Sequence, residues 1–372
     1  MRRLWLASLL VLLACSAPGP AGVVSAGWRE LPLPAPGARV LAMAPLAAGV
    51  LVLGSVPGSE GRAPAAWTTA DGRHWRAVPV APHSAYAFQA ELASVGVAGD
   101  RWTVLGQAFG GAHGNPRMTV WSGGDAGLAE HPQAFELFGG PHAVAVTSAA
   151  ALPGTGLLVG QWENATGRSG AAVWTSADGT RWQRNADDPA LSSAPGEQTS
   201  AVQAAPGPLG FLVAGYDERE GLLTPLAWAS PDGQTWRRLP VPPPAASSMA
   251  QRVACDGQGC VLGGATAGAR SRALCWPVDP RGVIGAGQPG PESKLVEFSQ
   301  LLLRDTRVFA ALRVDDRARL AVLGRDCTGW QDLPLPVGAA EACLAPLPGE
   351  VLLATTDPEA GRLWVRADDR RG

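Results

Sequence analysis

The sequence predicts an all-β fold, a seven-bladed β-propeller of four-stranded antiparallel blades whose ring is closed by an N-terminal strand completing the C-terminal blade. Three observations predict it. The stretch Trp174-Thr175-Ser176-Ala177-Asp178-Gly179-Thr180-Arg181-Trp182 recurs as Trp67-Thr68-Thr69-Ala70-Asp71-Gly72-Arg73-His74-Trp75 and as Trp228-Ala229-Ser230-Pro231-Asp232-Gly233-Gln234-Thr235-Trp236. Asp71, Asp125, Asp178 and Asp232 follow one another at intervals of 54, 53 and 54 residues, and a pair of apolar, β-rich runs precedes each copy. A further copy is split between the two ends of the chain. Self-similarity at such a period marks stacked units that share one core.

Each copy reads as a hairpin. A strand ends in Ser/Thr-x-Asp-Gly, where the carboxylate accepts turn amides and Gly supplies a positive φ, and the chain resumes at a Trp that covers the turn. The second copy, Trp121-Ser122-Gly123-Gly124-Asp125-Ala126, lacks the Gly and the closing Trp. Later copies decay: Asp279 is out of register by one residue after Trp276, and Asp326-Cys327-Thr328-Gly329-Trp330 has no leading Trp. Trp364-Val365-Arg366-Ala367-Asp368 holds the first half of a seventh copy. Its second half lies at the other terminus, where Trp28-Arg29-Glu30-Leu31-Pro32 matches Trp236-Arg237-Arg238-Leu239-Pro240 and Trp330-Gln331-Asp332-Leu333-Pro334. A strand borrowed in this way leaves no bare sheet edge. The apolar hairpins at 40–54, 92–106, 143–160, 201–215, 253–263, 301–312 and 342–355 count the same units independently, and two strands there plus two around the repeat make four per blade.

These copies resemble the Asp box, the bacterial neuraminidase repeat of sialidases and related propellers. The resemblance implies that Asp71, Asp125, Asp178, Asp232, Asp326 and Asp368 are structural, on loops joining the two outer strands of a blade and facing away from any ligand. It speaks to fold rather than to chemistry.

Taken in order, residues 1–15 read as a signal peptide: Arg2-Arg3, an apolar run over 4–14, then Leu12-Leu13-Ala14-Cys15. The run is shorter than the roughly 20 residues a membrane span needs. Leu-Leu-Ala-Cys resembles the bacterial lipobox, which implies lipidation at Cys15 and anchoring as a lipoprotein at the outer face of the cytoplasmic membrane. An ordinary secretory peptide, cut after Ala17 or Ala26 to release a soluble protein, is the alternative. Residues 16–27, rich in Ala, Gly and Pro and free of charge, read as a flexible tether, and 28–372 as the propeller.

Composition fits. Eleven of the fourteen Trp sit in or beside the repeats, so their excess over seven Phe and two Tyr is structural. A single Lys, Lys294, among abundant Arg, Ala, Gly and Pro suggests a GC-rich bacterial genome such as an actinobacterium's. With 30 basic against 32 acidic residues and no basic stripe, nucleic acid is not an expected partner. Beyond Cys15 there are five cysteines, Cys255, Cys260, Cys275, Cys327 and Cys343. Cys255 and Cys260 flank a tight turn and can face each other across a hairpin, with Cys260–Cys275 the rival pairing; an odd total leaves one thiol over. No Cys-x-x-Cys with a His partner points to a metal, and no cofactor is expected.

Catalytic motifs are mostly missing. Sialidases, the catalytic relatives, use an arginine triad, a Tyr-Glu nucleophile pair, an acid-base Asp and an Arg-Ile-Pro segment; here the only Ile is Ile284 and the only tyrosines are Tyr86 and Tyr216. Tyr216-Asp217-Glu218-Arg219-Glu220 has suitable residue types but reads as a charged loop after a strand. There is no nucleophile elbow, phosphate loop or dinucleotide fingerprint, and no catalytic residue is assigned. If the repeats occupy one side, a ligand face lies on the other, around the channel, and carries Tyr86, Phe88, Phe109, His113, His142, Trp162, Glu163, Tyr216, Asp217 and Arg219. Trp162-Glu163 and Tyr216-Asp217 place an aromatic beside a carboxylate at matching positions in adjacent blades, as a carbohydrate or peptide contact would. The expected function is a monomeric, non-catalytic binding or assembly module for a protein or carbohydrate ligand. The alternative is a sialidase-like glycoside hydrolase with a divergent site.

Overall fold

The computed structural model describes residues 24–25, 27–59, 61–109, 116–244, 246–357 and 361–368, and shows seven antiparallel blades. Each blade runs in chain order from an inner strand at the ring axis to an outer one, as in Gln198–Gly207, Gly210–Arg219, Leu222–Ser230 and Arg237–Pro240 of blade 4. Blade 7 takes Glu341–Leu347, Glu350–Thr356 and Gly361–Ala367 from the C-terminal end and its outer strand, Trp28–Leu31, from the N-terminal end. Arg29, Glu30 and Leu31 pair with Val365, Trp364 and Leu363, which closes the ring as the split repeat requires. One correction applies to the tether: Gly27, at φ +78°, reverses the chain, and Val24–Ser25 pairs back onto Arg29 and Trp28 as a short fifth strand. Blade 2 also has a fifth strand, Val80–Ala81, parallel to its outer strand Gly127–Glu130.

The core grows around the ring. Seven apolar clusters each lie between two successive blades, so every sheet is buried on both faces. This is why second strands read as continuous apolar runs: in Gly49–Gly58, Val50 and Val52 pack toward blade 7 while Leu51 and Leu53 pack toward blade 2.

Inner strands carry a shared irregularity. In six blades the register with the second strand slips by one residue, at Leu41, Ala93, Thr147, Val202, Gln251 and Ser299. Such a bulge bends the strand, and the facing second-strand residue is Gly where the bulged backbone comes closest. A Cβ at Gly54, Gly160, Gly215 or Gly264 would meet a carbonyl oxygen of the inner strand at 1.8, 2.1, 2.0 or 1.9 Å. In all of these blades but blade 1, where it is Ala42, the residue after the bulge bonds the backbone of the next blade's inner strand through its side chain. Ser94 Oγ accepts from Ala149 N at 2.9 Å, Gln203 Oε1 from Val253 N at 2.7 Å, and Gln300 Nε2 donates to Leu344 O at 2.9 Å.

The repeat turns form as expected where their chemistry is complete. Asp178 Oδ1 accepts the N–H groups of Thr180 (2.8 Å) and Arg181 (3.0 Å), Ser176 Oγ accepts that of Gly179 (2.9 Å), and Asp71 and Asp232 repeat the arrangement. These amides hold the Asp178 carboxyl well below the usual range, the Arg181 N–H contributing most. Gly72, Gly179 and Gly233 have φ of +71°, +77° and +81°. In the weaker copy at Asp326, Oδ1 accepts from Thr328 N at 3.1 Å and Cys327 takes the positive φ.

Two of the six aspartates behave differently. Asp125 has Gly123 where Asp71, Asp178 and Asp232 have a hydroxyl and Ala126 where they have Gly; its hairpin closes by a two-residue turn, and its carboxylate accepts from Arg76 of blade 1 at 2.7 Å. Asp368 is buried between blades 6 and 7, paired with Arg304 at 2.7 Å and with Arg307. It ties blade 7 to blade 6.

The leading Trp side chains are buried, and several pin the connection entering a blade: Trp174, Trp228 and Trp276 donate Nε1–H to the carbonyls of Leu137, Ala190 and Pro242 at 2.8–2.9 Å, and Trp28, the closing Trp of the split copy, donates to Pro334 O at 2.9 Å. Cys255 and Cys260 are bonded across the first hairpin of blade 5. The rival Cys260–Cys275 pairing does not form. Cys275 lies on the third strand of blade 5 and bonds Cys327 in the blade 6 turn, joining two blades whose repeats are the most degraded. Cys343 is the remaining thiol among the described residues.

Candidate functional site: the mouth of the central channel

Inner strands of all seven blades enclose a cavity of 970 Å³, lined by Met43, Val95, Thr147, Val202, Arg252, Gln300 and Cys343 among others. It opens on the face opposite the repeat turns, between blades 2 and 3, where Arg117, Phe135 and Phe138 form its edge. Burial pushes the Cys343 thiol up to about 12, so it stays protonated at neutral pH.

The loops at this mouth are held by buried anchors. Glu130, on the outer strand of blade 2, accepts the N–H groups of His83 and Ser84 at 2.6 and 2.7 Å and fixes the segment carrying Tyr86 and Phe88. The connection from blade 2 to blade 3 makes one helical turn, Phe135–Phe138, pinned by Trp174 at the Leu137 carbonyl and by Arg184 Nη1 at the Glu136 carbonyl, 2.8 Å. Phe138 packs inward against Trp174, ring centroids 6.0 Å apart, which leaves Phe135 facing out. Arg117 sits between aromatic rings, its guanidinium carbon 4.8 Å from the Phe135 centroid and 5.6 Å from that of Tyr86. Tyr86, Phe88, Phe109 and Phe135 are 50, 59, 57 and 51% exposed, so three of the seven Phe and one of the two Tyr stand in solvent at one end of blade 2. A rigidly held cluster of exposed rings is a mark of an interaction site.

The structure sorts the expected ligand residues. Tyr86, Phe88 and Phe109 are at the mouth; His113 lies outside the described residues, as does Cys15. His142 and Glu163 pair on the same face, Nδ1 to Oε1 at 2.8 Å. Trp162 is not available to a ligand: it is buried, edge-on to Trp174, with Arg184 stacked 3.8 Å above it. Nor do Trp162 and Tyr216 match. Gly160 and Gly215 are the equivalent bulge partners, so Tyr216 corresponds to Gln161 and Trp162 to Asp217, and a one-residue offset turns side chains to opposite faces of the sheet.

Residues 216–219 are strand rather than loop; the turn is Glu220-Gly221, both at positive φ. Arg219 bonds Asp217 Oδ2 at 3.3 Å and Glu197 Oε1 at 2.9 Å, in a structural network described below. Sequence reasoning missed Arg117, Phe135 and Arg252. The available signals were an apolar Phe-Glu-Leu-Phe run inside a connection, and a charge immediately before the apolar hairpin of blade 5. Among the described residues no group of three or more His, Cys, Asp or Glu side chains is placed to hold a metal ion.

No protein-family model matches the chain, and no curated protein sequence matches it. Solved structures do. Prolyl oligopeptidase B from Galerina marginata superposes with a TM-score of 0.51 at 12% identity, over 90% of this chain and 48% of that one. The β-propeller domain of the Trilobed protease from Pyrococcus furiosus gives 0.51 at 9% identity, over 90% of this chain and 95% of that domain. This chain therefore spans about half the length of the prolyl oligopeptidase it resembles. At such identities the likeness concerns the fold alone. The Pyrococcus domain is described as having an open velcro topology. Here Trp28–Leu31 closes the seventh sheet.

Proposed function

We propose that this propeller belongs with the Asp-box repeat proteins and works as a non-catalytic binding module, exported and held at the outer face of the cytoplasmic membrane by a lipid on Cys15. The observation that supports binding is the exposed aromatic cluster at the channel mouth, anchored from below by Glu130, Trp174 and Arg184. The ligand is a protein or carbohydrate surface that covers these rings.

Expressed in its envelope with the tether intact, a chain carrying Tyr86→Ala, Phe88→Ala and Phe135→Ala is expected to lose, by roughly tenfold or more, the partner that the unaltered chain retains on pull-down, because exposed aromatics dominate binding energy at such sites. Equal retention would remove the support for this face. Glycoside turnover abolished by Tyr216→Phe would overturn the non-catalytic reading. The anchor is tested separately: radiolabelled fatty acid is expected in the unaltered chain and not in Cys15→Ser, and label persisting in the variant would exclude lipidation at this residue.

A further inference from the structure

Two arginines line the central cavity, and no Asp or Glu is among the described residues that line it. Arg252 follows the blade 5 bulge, at the position held by Ser94, Ser148, Gln203 and Gln300 in blades 2, 3, 4 and 6. Those neutral side chains suffice to bond the next blade's backbone. Arg252 does the same job through Nε, which donates to Ser299 O at 2.7 Å, and Nη1 donates to Gln251 O at 2.9 Å. The remaining N–H groups of the guanidinium have no acceptor among the described residues. The carboxylate whose charge reaches it, Glu297, is bonded by Arg313 Nη2 and Nε at 2.6 and 2.9 Å. Burial lowers the Arg252 pKa, yet guanidinium stays charged in proteins. The guanidinium is half-buried, lines the cavity and has no carboxylate bonded to it, so an anion entering the cavity would supply the missing partner.

We propose that the cavity binds an apolar carboxylate, its acid group on Arg252 and its body along Met43, Val95, Val146 and Val202. Arg117 at the mouth draws the anion in. One available guanidinium inside the channel suits a single acid group, and the apolar side chains Met43, Val95, Val146 and Val202, which alternate with Thr147, Gln203 and Gln300 around the wall, suit an apolar body. This rests on the binding-module reading above and names the class of ligand for the same face.

The test is calorimetric titration of the full chain with N-acetyl-Phe-Leu, with its C-terminal amide, and with octanoate. The acid is expected to saturate one site and the amide to bind roughly tenfold more weakly, as loss of a charge-assisted contact implies. Arg252→Gln, which keeps the backbone bond that Gln makes in neighbouring blades, is expected to bring acid and amide within about twofold, while Arg252→Lys retains part of the preference. Displacement of the dipeptide by octanoate would identify free apolar acids as ligands; binding of the dipeptide without displacement would identify a peptide C-terminus. Acid and amide binding alike, a preference that survives Arg252→Gln, or no saturable binding of any probe would overturn the proposal. If the aromatic variant still loses its pull-down partner in that case, the binding module stands and only the carboxylate site falls.

Discussion

Trp28→Ala is expected to lower the unfolding free energy by about 3–5 kcal/mol, the range for truncating a fully buried aromatic. Trp28 has no exposed surface, donates Nε1–H to Pro334 O at 2.9 Å, and packs among Phe309, Leu320, Leu353 and Trp364. The strand it anchors pairs the N-terminal end of the propeller directly with the last strand of the C-terminal blade. Truncation leaves a cavity, an unpaired carbonyl and a loosened edge on Gly361–Ala367, which is then free to pair with other chains. Urea unfolding followed by Trp fluorescence should show an earlier midpoint and a rise in aggregation. A loss under about 1 kcal/mol would mean the ring does not depend on this closure.

Glu197→Gln is the second large effect. The Glu197 side chain is fully buried in the connection between blades 3 and 4, where it accepts from Arg238 Nη1 at 2.6 Å, Arg219 Nη2 at 2.9 Å and Ala194 N at 2.8 Å. Burial opposes its ionisation, but the Arg238 bond, the Ala194 amide and the charges of Arg238 and Arg219 outweigh that and hold its pKa at about 2, against an ordinary value of 4.5. Removing the charge leaves Arg238 without a carboxylate partner, while Arg219 keeps Asp217, and a loss of about 3 kcal/mol near pH 7 is expected.

The sign of the pH dependence follows. A depressed folded-state pKa stabilises the protein fully above the unfolded value, and that contribution disappears as pH falls through about 2. The gap between the parent and Glu197→Gln should therefore be widest near neutral pH and shrink steadily in acid. Parallel stability curves for the two proteins would show that the Glu197 charge is not what the parent loses in acid.

Much of this architecture is legible in the amino-acid sequence. The blade count came from one hairpin type recurring at a fixed period, because each turn needs its own carboxylate, hydroxyl and glycine. Closure came from half a repeat at each terminus. Disagreements arose where local chemistry had eroded: Asp125 keeps the spacing but lacks the groups that make the turn, and Asp368 has been taken over by Arg304 and Arg307. The candidate site was legible only in part. Tyr86, Phe88 and Phe109 could be placed on the open face because loop topology follows from strand order, whereas Trp162 was misplaced because it lies one residue further along its strand from Gly160 than Tyr216 does from the equivalent Gly215, which turns it to the opposite face of the sheet.

What the amino-acid sequence determined by itself, then, is whatever depends on neighbours in the chain: turn, hairpin, repeat and the matching of the two ends. The tertiary structure alone decided which blades share the Cys275–Cys327 bond, that Phe135 faces out while Phe138 faces in, and that Arg252 reaches a channel whose described lining holds no acid. Those depend on groups far apart in the chain meeting at the axis or between blades, and a period read along the chain says that blades meet without saying which side chains do.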